Sequence, residues 1–174
     1  NKMKEQAENH TININTNRSK KIILWILIIF WMLLIFIFSS QNSEDSSNLS
    51  RGFLRNFILW FLPENIDENT VDFLEHILRK CAHMTEYAVL GILISIQLRL
   101  YHVFEAEWKK IWAAIFLVML YAATDEFHQL FVGGRSGQVT DVLIDTCGGM
   151  AGAFIIYLIY KLKNLRKTEN GGKK

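Results

Sequence analysis

The sequence predicts an all-α membrane protein of four transmembrane helices, with N and C termini cytoplasmic and a short interfacial helix in the first extracytoplasmic loop. Three observations predict it. Hydrophobic residues make up 51% of the 174, and proline occurs once, a balance too apolar for a soluble domain of this size. The apolar residues gather into four long segments. The basic residues gather between alternate segments rather than evenly along the chain.

Residues 1–21 are polar, asparagine-rich and basic, and are expected to be a disordered cytoplasmic tail. Residues 22–38 then form an unbroken apolar run behind Arg18, Lys20 and Lys21. At about 1.5 Å per residue such a helix crosses most of a ~30 Å hydrocarbon core. The run exceeds the apolar core of a signal peptide, about 7–15 residues, and Ser39-Ser40-Gln41 is not a small-x-small cleavage site, so it reads as a retained anchor.

The next stretch, residues 53–62, is apolar but only ten residues long and ends at Pro63, which suits a helix lying in the interface. Beyond it Val71, Leu74, Leu78 and Cys81 recur at helical spacing, with Glu75 and Arg79 four apart on the other side. This amphipathic turn is expected to run into a second spanning helix over residues 81–98. Residues 111–132 and 142–160 supply the third and fourth, and the basic stretch 161–174 is a second cytoplasmic tail. The spanning domain is therefore 22–160.

Charge fixes the expected orientation. Fourteen of the nineteen Lys and Arg residues fall in the N-terminal tail, in the loop after the second helix (Arg99, Lys109, Lys110) and in the C-terminal tail. These become the cytoplasmic segments. A net charge of only +2 gives no global attraction for nucleic acid. Cys81 and Cys147 are too few for a disulfide framework; a bridge between them is conceivable, but both are read as small packing residues.

The chemistry-bearing residues are ionisable groups set inside these apolar helices, where charge costs several kcal/mol and usually marks a site. Lys80, His83, Glu86 and Tyr87 share one stripe of the second helix. Asp125, Glu126, His128 and Gln129 occupy the last turns of the third, and Asp141 and Asp145 the first turns of the fourth, after a Gly133-Gly134-Arg135-Ser136-Gly137 turn. All lie within one or two turns of the outer boundary, so one shared layer is expected. Gly148 and Gly152 on the fourth helix, with Ala88, Gly91 and Ser95 on the second, would let the backbones approach closely and the short carboxylates meet.

These residues resemble the VanZ-like family of membrane proteins. The resemblance is carried by Lys80-Cys-Ala-His83-Met-Thr-Glu86-Tyr87 with Leu90-Gly91, by Tyr121-Ala-Ala-Thr-Asp125-Glu126-Phe-His128-Gln129, by Gly134-Arg135, and by Asp141, Leu143, Asp145, Gly148 and Gly152. It covers the C-terminal half and the Ser39-Ser40-Gln41 end of the first helix. Two positions depart from the usual pattern: Gly133-Gly134-Arg135 stands where Pro-Gly-Arg is common, and Arg79-Lys80 where Asp-Lys is common. The resemblance implies a multi-pass protein of a bacterial cell membrane, associated with teicoplanin-type glycopeptide resistance.

Three functions are compatible with these residues. In the first, the layer binds or modifies an envelope lipid or lipid-linked cell-wall ligand: Lys80, Tyr87 and Arg135 contact it, and His83, Glu86, Asp125, Glu126, His128, Gln129, Asp141 and Asp145 supply any acid–base chemistry. In the second, the same residues are a satisfied polar network that only fastens the helices together, with Arg135 pairing to Asp141 and Lys80 snorkelling to the surface. In the third they belong to a transporter or proton relay, against which stands an inner half of each helix that reads as dry. No cofactor is expected: His83, Glu86, Asp125 and Glu126 have spacings that suit a divalent ion, but no H-E-x-x-H or cysteine cluster accompanies them. Whether the chain forms a homodimer, through a face such as Gly148 to Gly152, is left open by the sequence.

Overall fold

The computed structural model describes residues 2–40, 52, 67–133 and 137–171, with side chains between residues 17 and 168. Four helices carry most of the described residues: α1 (Lys2–Ser39), α2 (Glu68–Leu100), α3 (Glu107–Gln129) and α4 (Val139–Gly171). Each contains a stretch long and apolar enough to cross a membrane, and no strand occurs among the described residues. The interfacial helix expected over 53–62 lies outside the described residues.

The helix ends differ from expectation in instructive ways. α1 begins at Lys2, where a disordered tail was expected. Propagating an existing helix fixes one residue per hydrogen bond gained, and the Lys-Met-Lys-Glu-Gln-Ala start consists of good helix formers. α2 is continuous from Glu68, so the amphipathic turn does run into the spanning segment; at 33 residues it is about 50 Å long, more than one hydrocarbon core needs. Asp67 stands at its N-terminus, and the Thr70 hydroxyl donates to the Asp67 carboxylate, which holds that carboxyl below its usual range.

The C-terminus of α2 is closed by a Schellman motif. The amide of Val103 donates to Leu98 O (3.4 Å) and that of His102 to Arg99 O (3.2 Å), with His102 at φ 50° in the left-handed position usually held by glycine. This reverses the chain into α3 within six residues. α3 stops at Gln129 rather than at 132: Phe131 and Val132 donate to His128 O and Gln129 O in a tightening turn before Gly133.

Contacts between the helices set their directions. Near the start of the apolar span of α1, Gln97 Nε2 donates to Lys21 O (3.2 Å) and Trp25 Nε1 to Tyr101 OH (3.2 Å); further along, Trp31 Nε1 donates to Glu86 O (2.9 Å). α1 and α2 are therefore antiparallel. The Tyr121 hydroxyl donates to Met32 O (2.6 Å) and Gln129 Nε2 to Ser39 Oγ (2.9 Å), so α1 and α3 run in the same direction. α4 runs parallel to α2: Gly148 meets Met84, Gly152 meets Ala88, and Tyr160 lies under the Arg99 guanidinium.

The α2–α4 pair is the most extensive in the bundle, and glycine makes it so. A Cβ on Gly152 would fall 2.0 Å from Ala88 O, one on Gly148 2.2 Å from Met84 O, and one on Gly91 2.3 Å from Gly149 O. Gly149 in turn receives Val118 of α3, whose Cγ1 would lie 2.4 Å from an added Cβ. The core combines Leu24, Ile28 and Ile35 of α1, Tyr87, Leu90 and Ile94 of α2, and three residues spaced four apart on α3, Ala114, Val118 and Ala122. The large apolar side chains left outside, such as Ile22, Ile26, Trp112, Phe116 and Phe154, are the surface a lipid environment requires.

The glycine face is thus spent inside the chain. Gly148 and Gly152 are buried against α2. Cys81 and Cys147 are free and exposed rather than packed. Gly152→Ala is predicted to cost about 1–3 kcal/mol, since the new methyl meets backbone that cannot step aside. Ala151→Leu, at an exposed neighbouring position, should leave stability within about 0.5 kcal/mol. Denaturant titration in detergent micelles compares the two; equal behaviour would contradict the close-packed seam.

Candidate polar site at one end of the bundle

The directions of the helices bring four segments to one end: the C-terminal turns of α1 and α3 and the N-terminal parts of the spanning regions of α2 and α4. The ionisable residues singled out in the sequence lie on these segments. Lys80 Nζ and Asp141 Oδ1 form an ion pair at 2.8 Å, each side chain about one-third exposed (33% and 29%). Asp141 therefore has Lys80 as a partner. Arg135 itself lies outside the described residues.

One turn deeper, His83 Nδ1 stands 3.7 Å from Glu86 Oε2, an ion pair only when the imidazole is protonated. The backbone carbonyl of Glu86 is capped by the Trp31 indole of α1. Tyr87, completely buried, donates from its hydroxyl to Asp125 Oδ2 at 3.2 Å. Asp125 and Asp145 are each only 2% exposed, and Asp145 lies within electrostatic reach of Glu126, Asp125, Asp141 and Glu86. The Glu126 carboxylate accepts the Gln138 amide (2.9 Å) and so ties the end of α3 to the entry of α4.

Two members of the expected set turn away toward α1. The His128 ring packs at 4.4 Å from the Phe36 ring, and Gln129 donates to Ser39 Oγ. Sequence reasoning placed both in the reacting group; the structure makes them the α1–α3 seam. Their position on α3 is as expected, but the side that α1 occupies was not readable. Ser39, fully buried, and Trp31 were missed as polar partners because each sits in, or at the end of, a run that is apolar throughout.

The site is rich in acceptors. Glu86, Asp125, Glu126, Asp141 and Asp145 face Lys80, His83 and the Tyr87 hydroxyl, and Asp125 Oδ1 is buried with no hydrogen-bond partner among the described residues. Such an oxygen is costly in a dry interior unless it holds a proton or receives a donor. Among the described residues, no three His, Cys, Asp or Glu side chains converge as a metal site would require. The divalent ion that His83, Glu86, Asp125 and Glu126 suggested by spacing therefore finds no ready-made set of protein ligands there.

The opposite end corrects a second expectation. Ser95, Gln97, Arg99 and Lys110 are all buried, although the inner half of the helices read as dry and Arg99 as a loop residue. Between the two ends lie Leu90, Ile94, Ala114 and Val118, apolar and nine-tenths or more buried. The polar groups thus form two separate layers rather than one.

A multi-pass helical membrane bundle, closed by glycine contacts and holding a buried carboxylate–imidazole layer at one end, is the class of protein defined here. Within that class the chain belongs to the VanZ/LLP1 family, whose model matches residues 24–160, from the first turns of the α1 span to Tyr160 on α4. No curated protein and no solved structure matches it.

Tyr87→Phe is predicted to destabilise the bundle by about 1–3 kcal/mol, because it removes a hydrogen-bond donor from the buried Asp125 carboxyl group. Tyr157→Phe, half-buried on α4, serves as control and should change stability by less than about 0.5 kcal/mol. Denaturation in detergent checks both, and an unaffected Tyr87→Phe would remove the hydroxyl–carboxylate bond from the account.

Proposed function

We propose that this chain binds or modifies a lipid-anchored envelope ligand in the outer leaflet of a bacterial cell membrane, and so contributes to teicoplanin-type glycopeptide resistance. The observation that carries the proposal is Asp125. It is almost completely buried, it is held from one side by Tyr87, and its second oxygen is left for a donor. A hydroxyl or amine on a ligand headgroup supplies such a donor. The Lys80–Asp141 pair at the partly exposed rim can open to admit an anionic part of the ligand, Lys80 then exchanging one carboxylate for another.

The proposed orientation has the polar layer outside and both termini in the cytoplasm. It is supported by the cation–aromatic pairs, Lys21–Tyr101, Arg99–Tyr160, Lys109–Trp108, Lys161–Tyr157 and Lys163–Tyr160, which all fall at the end away from the layer. Lys and Arg concentrate on the cytoplasmic side of a membrane, and Tyr and Trp where a helix leaves the bilayer on either side.

A structural role for the layer is favoured by one specific feature: the polar contacts Trp31–Glu86, Tyr87–Asp125, Gln129–Ser39, Lys80–Asp141 and Gln138–Glu126 connect all four helices. The two roles separate experimentally. With a ligand site, Glu126→Gln and His83→Ala abolish the change in teicoplanin susceptibility while the denaturation midpoint in detergent stays near wild type. With a purely structural network, resistance and midpoint fall together. Modification of the ligand further predicts an altered lipid or wall-precursor mass spectrum on overexpression; unchanged spectra would limit the function to binding.

A further inference from the structure

A second polar cluster lies at the end of the bundle opposite the carboxylate layer. Arg99 is 6% exposed and Lys110 8% exposed, and one carboxylate serves both. Glu107 Oε2 accepts from Arg99 Nη2 at 2.9 Å and Glu107 Oε1 from Lys110 Nζ at 2.6 Å. Arg99 Nη1 donates to Ser95 O (3.1 Å), and the guanidinium lies 5.0 Å over the Tyr160 ring. Two buried cations thus face one carboxylate, a surplus of one positive charge in a setting where unpaired charge is expensive.

Two further observations point to a ligand. Among the described residues Arg99 Nε is buried with no acceptor, and the Ser95 hydroxyl, fully buried one turn away on the same face of α2, has no partner either. The carboxylate that bridges the cations is the exposed member of the group: the Glu107 side chain is 45% exposed against 5% for Arg99 and 10% for Lys110. A fixed pair of cations with a movable, solvent-facing anion between them is the arrangement an incoming anion can enter by displacing the carboxylate. The aromatic and basic residues gathered at this end set the site at the level of the lipid phosphates.

We infer that Arg99 and Lys110, at the end of the bundle opposite the carboxylate layer, bind a phosphate-bearing anion, with Glu107 occupying their place when it is absent. The guanidinium and ammonium groups supply the charge-assisted donors that phosphate oxygens favour. The phosphate comes either from the headgroup of an anionic lipid in the adjoining leaflet or from solution. The site is independent of the function proposed for the carboxylate layer.

The test uses the full chain in uncharged maltoside micelles, with thermal unfolding followed on adding phosphatidylglycerol, phosphatidylcholine or inorganic phosphate, against sodium chloride at matched ionic strength. Phosphatidylglycerol is expected to raise Tm by about 5 °C at saturation. A rise with inorganic phosphate as well identifies solution phosphate as sufficient, and a rise with the anionic lipid alone identifies the headgroup. Glu107→Gln removes the competing carboxylate, so the rise should be larger and occur at lower ligand concentration; Lys110→Gln should abolish it. If Arg99→Gln does not fold, these two variants still decide. No rise in either wild type or Glu107→Gln, an equal rise with phosphatidylcholine, or a rise unchanged in Lys110→Gln would each overturn the inference.

Discussion

The backbone contact between α2 and α4 is the constraint from which the rest of the bundle follows. In lipid there is no hydrophobic force to drive helices together, so their attraction depends on how closely atoms can pack. Gly91, Gly148, Gly149 and Gly152 remove the side chains that would hold the two helices apart, and the backbone of one comes to rest on the other. Because the pair is parallel, the first turns of the α4 span lie beside the corresponding turns of α2. That alignment is what allows the short side chain of Asp141 to reach Lys80 and places Asp145 among Asp125, Glu126 and Glu86. Val118 seats α3 against the same seam.

α1 is attached differently. It contributes Leu24, Ile28 and Ile35 to the core, but its polar anchors are a few long-reach bonds: the indole of Trp31 to the Glu86 carbonyl, the Tyr121 hydroxyl to the Met32 carbonyl, and Gln129 to Ser39. Each consumes a polar group that would otherwise face hydrocarbon. Here α1 acts as a wall behind His128 and Glu86, which closes one side of the carboxylate layer and leaves the rim at Lys80 and Asp141 as its exposed edge.

The two polar layers are kept apart by Leu90, Ile94, Ala114 and Val118. A proton or ion would have to cross several apolar turns without a partner, so the physical case for a continuous path through this bundle is weak. Chemistry is confined to the two ends: a surplus of carboxylates at one, a surplus of buried cations at the other. The same side-chain types that make a relay in other settings act locally here.

Much of the architecture was legible in the amino-acid order, because long apolar runs, glycine spacing and the sequence positions of Lys80, His83, Glu86, Asp125, Glu126 and Asp145 are local properties of each segment. What was not legible was the rotation of each helix about its own axis. In a soluble protein the apolar stripe marks the buried side, but in a bilayer both the core and the surroundings are apolar, and the stripe loses that meaning. Glu75, expected on the polar side of the amphipathic turn, is therefore buried; Cys81, expected on its apolar stripe, is exposed; and Arg99, expected in a loop, is inside the bundle. His128 and Gln129 face α1 for the same reason. The sequence alone determined the four apolar spanning segments, which residues they carry, and that the carboxylates, His83, His128 and Lys80 share one end. Only the tertiary structure decided which of them touch, because partners as far apart as Lys80 and Asp141 or Ser39 and Gln129 are chosen by backbone approach and helix rotation, and neither is recorded in the pattern of any single segment.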